Sequence, residues 1–412
     1  MIKQLIPRMT EICGPDGVIT DPAELRTYEC DGLTSHRVTP ALVVLPRTAR
    51  EVAAVVRECA MARVPFVARG SGTGLSGGAH CLKHGFTVHH ITGLEVVTPA
   101  GELTWLGDGT GAAPGYDLLG AFTGSEGTLG IVTKIVVKLT KIPQLVKCLL
   151  AAFETTGAGG NAVSAIIGAG IVPAAIEMMD ALAIEAAEAA VSCRYPEGAG
   201  AVLIVELDGP HAEAERECAA VRALCEQAGA TEIREADDPA ERAAIWVGRR
   251  SAFAAVGRIA SAYIVQDGVV PRSALGPVLD KIAKLSAESG IRVANVFHAG
   301  DGNLHPLVLY DDSVPGAAEA AETVSGAILD LCISHGGSIT GEHGVGVDKS
   351  RYMPKMFGAD DLDTMQLLRC AFDPASLCNP GKVFPTPRLC GEVPGARRAP
   401  HPLVASGQVD QF

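Results

Sequence analysis

Two histidines seven residues apart carry the first sign of chemistry. They sit in the run Asn295-Val296-Phe297-His298-Ala299-Gly300-Asp301-Gly302-Asn303-Leu304-His305-Pro306-Leu307-Val308-Leu309. An apolar segment enters a Gly-Asp-Gly-Asn turn and an apolar segment leaves it, which is the pattern of a β-hairpin. With a four-residue turn, Ala299 pairs with Leu304 and His298 faces His305. Cross-strand partners hold their Cβ atoms roughly 5 Å apart, so two imidazoles there can share one divalent metal. A third ligand is offered by Glu342, in Gly337-Ser338-Ile339-Thr340-Gly341-Glu342-His343-Gly344-Val345-Gly346. The glycines around it mark a tight turn rather than a helix. Two His and one Glu with an open fourth position is the ligand set of a catalytic zinc site. Zinc, manganese and iron all accept it. The bland alternative is a pair of core histidines satisfied by backbone carbonyls.

His343 is the next residue after Glu342. Histidine titrates near neutral pH and suits the removal of a hydroxyl proton, so His343 is the candidate general base. A metal on the substrate oxygen would make that proton easier to remove. Arg249, in Trp246-Val247-Gly248-Arg249-Arg250, is a candidate clamp for a carboxylate, because a guanidinium fork matches two oxygens. Its alternative is an ordinary surface charge.

A second constellation is the loop Arg69-Gly70-Ser71-Gly72-Thr73-Gly74-Leu75-Ser76-Gly77-Gly78. So many glycines cost entropy on ordering and need a reason. Close approach of backbone N–H groups to phosphate oxygens supplies one. Ser71, Thr73 and Ser76 add hydroxyl donors and Arg69 adds charge. The spacing is neither that of a dinucleotide fingerprint nor that of a P-loop. A flexible linker is the alternative, but a linker would lack the apolar strand before the loop.

These residues need elements to hold them. Asp21-Pro22 reads as a helix start, and Thr48 caps a helix over Ala49–Arg63. Leu42–Leu45 and Val64–Ala68 read as strands. From Lys147 onward strands and helices alternate: strands over Lys147–Phe153, Ala201–Leu207, Thr231–Glu235, Ala262–Gln266 and Arg292–His298, and helices over Gly160–Ala169, His211–Ala228, Pro239–Val256, Arg272–Ser289 and Ala317–His335. The pattern predicts an α+β domain with helices on one face of a sheet. After Pro385 the composition shifts to Pro, Arg and polar residues, the mark of a surface tail.

Composition narrows the rest. The 412 residues suggest two domains. A net charge of −13 argues against nucleic acid, which needs a basic footprint. The 12 cysteines form no C-x-x-C pair, so neither an iron–sulfur ladder nor a zinc knuckle is expected, and free buried thiols in a reducing compartment are. The N-terminal residues lack a signal-peptide pattern and no stretch reads as a membrane helix. The expected setting is the cytoplasm, with any membrane contact made through partners at the inner face of the cell membrane.

The loop at Arg69–Gly77 resembles the pyrophosphate loop of the vanillyl-alcohol-oxidase-type flavoproteins. Gly124-Ser125-Glu126-Gly127-Thr128-Leu129-Gly130-Ile131-Val132-Thr133 is similar to their second flavin-contacting segment. His298–His305, Gly341–Gly346 and Asn379-Pro380-Gly381-Lys382 resemble the C-terminal half of the 2-hydroxy-acid branch, and most closely the D-subunit family of bacterial glycolate oxidases. The resemblance runs from about Met1 to near Cys390. It implies an FAD-binding domain over residues 1–140, an α+β substrate cap of ferredoxin-like character over 141–348, helices returning to the FAD domain over 349–386 and a tail over 387–412. It implies FAD contacts at Glu126, Gly130, Ile131 and Asn379 as well as along Arg69–Gly77, a metal on His298, His305 and Glu342, the base at His343 and the carboxylate clamp at Arg249. It implies oxidation of glycolate or D-lactate by hydride transfer to flavin, with electrons passed to a second flavin-binding-like subunit, an iron–sulfur subunit and quinone.

One departure stands out. In the family a long stretch follows the Ser-Gly-Gly-Ala end of the loop, whereas here Ser76-Gly77-Gly78-Ala79 runs directly into His80-Cys81-Leu82-Lys83. The FAD domain is therefore shortened between Ala79 and His80. Lost strands expose sheet edges and remove lining from a flavin site. Two other readings follow: a flavin-free remnant or scaffold subunit of the same complex, and a zinc hydrolase on His298, His305 and Glu342. The hydrolase leaves both glycine segments without a purpose.

Overall fold

The computed structural model describes residues 2–30, 37–70, 90–110, 115–236 and 238–385, and the chain divides into two compact units, Met1–Thr140 with Glu342–Phe412, and Lys141–Gly341. The loop residues Ser71, Gly72, Thr73, Gly74, Leu75, Ser76 and Gly77, the Ala79–His80 junction and the tail lie outside the described residues.

In the first unit, helix α1 (Ile2–Cys13) packs Leu5 and Met9 against Cys59 of α3 (Ala49–Ala62). Thr48 caps α3 by accepting from the Glu51 N–H, as its sequence predicts. Asp21 caps α2 (Pro22–Leu25) in the same way. Strands β1 (Val18–Ile19) and β2 (Val43–Val44) pair antiparallel. Strands β3 (Ile91–Val97), β4 (Leu103–Gly107) and β5 (Ile131–Val137) form an antiparallel sheet in the order β4-β3-β5, with α4 (Leu118–Phe122) beside it. The strand expected over Val64–Ala68 is reduced to one parallel bridge between Phe66 and Cys378. A ladder needs a neighbour of matching length, and the segment meeting Phe66 bonds it only through Leu377 O and Asn379 N.

The second unit is built on one antiparallel sheet. Its strands are β6 (Leu145–Phe153), β7 (Ala175–Asp180), β8 (Ala201–Gly209), β9 (Glu232–Glu235), β10 (Ala262–Val265), β11 (Gly268–Val269), β12 (Val293–His298), β13 (Asn303–Leu304) and β14 (Pro306–Tyr310). The main order is β10-β14-β12-β7-β8-β6-β9. Within it, β6-α5-β7-β8-α7-β9 has the ferredoxin-like order, with α5 (Thr156–Gly168) and α7 (His211–Gln227) as its helices. The later strands β10, β12 and β14 repeat the first three places of that order. The two halves join through β7 and β12.

Helices cover both faces of this sheet, not one. Helices α5, α7, α9 (Leu275–Ser289) and α10 (Ala317–Ser334) pack on the face carrying Leu149, Phe153, Leu203 and Phe297. Helices α6 (Ala181–Val191) and α8 (Pro239–Val256) pack on the face carrying Leu150, Met179, Ile204 and Val296. Strand β6 is buried over consecutive residues from Cys148 to Phe153, and a strand covered on both sides reads as an unbroken apolar run.

The chain leaves this unit at Gly341. It continues through α11 (Met353–Met356) and α12 (Ala359–Phe372), whose Phe372 meets Phe122 edge to face at 5.4 Å. Nine described cysteines are free, seven of them carrying thiols that burial pushes upward, but Cys370 is disulfide-bonded, contrary to the expectation of free thiols throughout.

Candidate active site

The polar cluster of the second unit lies where β7 and β12 meet. Met179, Val296 and Leu307 point to the α6/α8 face, and the period of two puts Glu177, His298 and His305 on that same face. The hairpin register differs from the sequence expectation. His298 pairs with Asn303, not His305, and Leu304 pairs with Gly268, not Ala299. The turn keeps the expected four residues but lies one residue earlier, at 299–302, where Gly302 adopts φ 73° and donates its N–H to Ala299 O. A side chain at Gly302 would also collide with Val270 O. The shift is two residues, so the face is kept and His305 becomes the diagonal neighbour of His298. The rings meet edge to face with centroids 5.2 Å apart, and a ring nitrogen of each lies within 4.8 Å of one on the other.

Each ring is held at Nδ1. His298 Nδ1 is 2.7 Å from Glu177 Oε1. His305 Nδ1 is 3.3 Å from Gln266 O and 3.8 Å from Asp267 Oδ1. Asp267 is fully buried and accepts from Thr340 Oγ1 at 2.6 Å and the Gly341 N–H at 3.0 Å. Arg249, on α8, is buried rather than a surface charge. Its Nε and Nη2 both lie 2.9 Å from Glu177 Oε2, and its guanidinium stacks over Phe253. The Phe253 ring in turn lies 6.3 Å from that of His305.

The residue types fit a divalent cation. Two imidazoles on one face have their Nδ1 atoms engaged, the usual preparation for ligation through Nε2. The Asn303 Oδ1, on the same face, is buried without a hydrogen-bond donor. Gly341 packs so tightly on Asn303 that a Cβ there would fall 2.5 Å from its side chain. Glu342 follows within one Cα–Cα step of about 3.8 Å and His343 within two. His343 Nε2 is 3.6 Å from Glu342 Oε1.

Sequence reasoning missed Glu177, Asp267 and Phe253. Glu177 did leave a signal: it is a charge inside the apolar run Ala175-Ile176-Glu177-Met178-Met179. Such a residue is almost never buried unless paired. Phe253 left none that distinguishes it from other core aromatics.

In the first unit, Gly124, Glu126, Gly127 and Gly130 all have positive φ, making a loop of left-handed turns. The Glu126 carboxylate is occupied by the N–H groups of Val345 and Gly346, at 2.6 and 2.8 Å. Burial raises its pKa and those two N–H groups oppose the rise. Gly130 leads into Ile131, which pairs with Val97. Asn379 donates through Nδ2 to Glu126 O at 2.6 Å, while its Oδ1 is buried without a partner. An orphaned acceptor beside a glycine-rich loop fits a flavin ring N–H. Arg69 donates to Cys30 O at 2.7 Å and stacks over Tyr28, and Gly70 follows it at the edge of the described residues.

The chain is similar to known proteins along most of its length. Residues 142–383 match the family described as FAD linked oxidases, C-terminal domain, and residues 40–81 match an FAD binding domain. The chain is 40% identical to glycolate oxidase subunit GlcD of Escherichia coli (strain K12), over 94% of this chain and 92% of that one. That alignment spans 461 positions against a chain of 412 residues, so the relative holds residues with no counterpart here. The chain is 29% identical to the mitochondrial D-lactate dehydrogenase [cytochrome] of Arabidopsis thaliana, over 76% of this chain and 55% of that one. Among solved structures, p-cresol methylhydroxylase with bound substrate shares the fold, with a TM-score of 0.73 at 14% identity, covering 93% of this chain and 96% of that one. The match over more than half the chain, with the close relative along nearly all of it, establishes that this chain belongs to the FAD-linked oxidases, on the vanillyl-alcohol-oxidase-type fold.

Proposed function

We propose that this protein is the FAD-dependent catalytic subunit of a 2-hydroxy-acid oxidoreductase, with glycolate the first candidate substrate and D-lactate the second. The observation that carries the reading is the buried Arg249 beside His298 and His305 on one face of the cap sheet. A small anionic acid needs a fixed cation for its carboxylate and a polar site for its hydroxyl. Glu177 engages two nitrogens of Arg249, and the guanidinium's five N–H groups leave donors for a substrate carboxylate. His298, His305 and Glu342 would hold a divalent metal, which would make the hydroxyl proton easier to remove. His343 takes the hydroxyl proton on a ring nitrogen. FAD, held along Arg69–Gly77, Gly130, Ile131 and Asn379, supplies the hydride acceptor when bound. The flavin domain takes in 1–140, and the cap is the compact unit Lys141–Gly341, ending seven residues short of the 348 expected from the sequence, with the chain from Glu342 grouped with the flavin domain.

Electrons then pass to a second flavin-binding-like subunit and an iron–sulfur subunit, in the cytoplasm or at the inner face of the membrane. Among the described residues no helix is long and apolar enough to cross a membrane. Anaerobic addition of glycolate or D-lactate to purified protein tests the reading: the flavin absorbance bleaches with one of them. Protein that holds flavin but bleaches with neither sinks the substrate assignment.

A second reading has its own support. The alignment with the E. coli relative is longer than this chain, and the FAD-domain match ends at residue 81, beside the Ala79–His80 junction. On that reading the chain is a flavin-free scaffold of the same complex. Purified protein that stays colourless after incubation with FAD is its expected behaviour.

A further inference from the structure

We infer that Glu177 is a positioning residue that sets the metal-binding tautomer of His298 and the placement of Arg249 with one carboxylate. The inference rests on the metal reading above. Oε1 lies 2.7 Å from His298 Nδ1 and Oε2 lies 2.9 Å from both Arg249 Nε and Nη2, so one buried side chain faces the ligand and the clamp at once. Glu177 and His298 are directly paired residues of β7 and β12, so the backbone fixes their separation. Arg249 arrives from α8, on the layer covering that face.

A carboxylate offers acceptors only. His298 must therefore carry its proton on Nδ1 to meet Oε1, and Nε2 is left as the lone-pair atom a metal requires. The negative charge on Glu177 also makes the imidazole a better ligand. The same charge offsets the guanidinium, which is buried in the cap. Any shift of Glu177 thus moves the metal ligand and the carboxylate clamp together.

Glu177→Gln separates this role from packing, because it keeps the volume and loses one acceptor. The guanidinium takes the amide oxygen, since it has no acceptor to meet an N–H. The amide N–H then faces His298 Nδ1 and moves the ring proton to Nε2, the wrong atom for a metal ligand. The experiment titrates zinc and manganese separately into metal-stripped full-length protein, as wild type, Glu177→Gln and His298→Ala. Circular dichroism checks the fold, and long-range ¹H–¹⁵N spectra of the metal-free protein report the tautomer of His298. The expected result is roughly 10- to 100-fold weaker metal binding in Glu177→Gln. The His298 proton is expected on Nδ1 in wild type and on Nε2 in the variant. Unchanged affinity in Glu177→Gln, with binding lost in His298→Ala, overturns the inference and leaves the metal reading standing. A wild-type His298 protonated on Nε2 overturns it without need of any variant. Wild-type protein that takes up neither metal overturns both.

Discussion

Glu177 and His298 stand opposite each other on the two strands where the halves of the cap sheet join, and the carboxylate reaches the ring at 2.7 Å. Each half of the sheet is completed elsewhere by hairpins and crossing helices. The seam is where side chains from two separate halves converge on one face. Arg249 and Phe253 from α8 close over it, and the β11 contact with β13 fixes the hairpin end that carries His305. The polar groups are thus set by paired strands and a packed helix, and such elements hold a site more firmly than loops do.

His343→Ala is expected to lower substrate-dependent dye reduction by roughly 10²- to 10⁴-fold, the range for loss of a general base. Flavin content and metal content stay at the wild-type level, because the ring is neither a flavin contact nor a metal ligand in the proposed scheme. Steady-state rates and the flavin spectrum of the same preparation decide it. Undiminished rates would remove His343 from the base role.

Arg249→Ala leaves the Glu177 carboxylate buried beside the sheet with its main cation gone. Breaking a buried pair from one side costs roughly 3–5 kcal/mol. Removing both partners costs less than the two single changes summed, since no uncompensated charge is left. Urea unfolding of Arg249→Ala, Glu177→Ala and the double variant measures the coupling. Additive losses would mean that the ion pair seen here contributes nothing of its own.

The caps of α2 and α3 were legible, because Asp21 and Thr48 each precede a helical run and accept its first N–H groups. His298, His305 and Arg249 were legible as chemistry from residue type and spacing. The hairpin register was not, because it depends on a contact from elsewhere in the chain: the Val270 N–H donates to Gly302 O, and Val270 O leaves no room for a side chain at Gly302. Glu177 lies 121 residues before His298, and nothing local announces that two strands so far apart in sequence pair. The only local trace of the second helical layer is the unbroken apolar run of β6. Alternation of strands and helices does not say to which face each helix returns.

Gly341→Ala tests how the loop bearing Glu342 is seated. A Cβ would lie 2.5 Å from the Asn303 side chain, and the Gly341 N–H is already committed to Asp267. The backbone must shift to relieve the clash, at a cost of roughly 1–3 kcal/mol. Since Glu342 is the next residue, metal affinity falls with stability. Calorimetry of the variant with zinc, beside its melting curve, checks both. A variant with wild-type metal affinity would show that the seating of Gly341 does not govern Glu342.

Asp180 gives the cap a pH dependence that can be read in stability. Burial raises its carboxyl from 3.8 to about 6, against the opposing hydrogen bonds from Ala183 and Asn295. An unfolded aspartate titrates near 4, so between those limits the folded chain binds more protons than the unfolded one. Its contribution is fully present below pH 4, falls as pH rises and is lost above pH 6, at roughly 1.4 kcal/mol per unit within that window. Asp180→Asn keeps a capping oxygen for α6 but does not titrate. Its amide N–H groups face the Asn295 donors and impose a penalty that does not change with pH. The stability of wild type relative to Asp180→Asn should therefore decline from pH 4 to pH 6 and level off above it. Denaturant unfolding at a series of pH values in that range measures the difference. A flat difference would mean that the Asn295 and Ala183 donors keep the carboxylate ionised in the folded cap, and that burial does not control its titration.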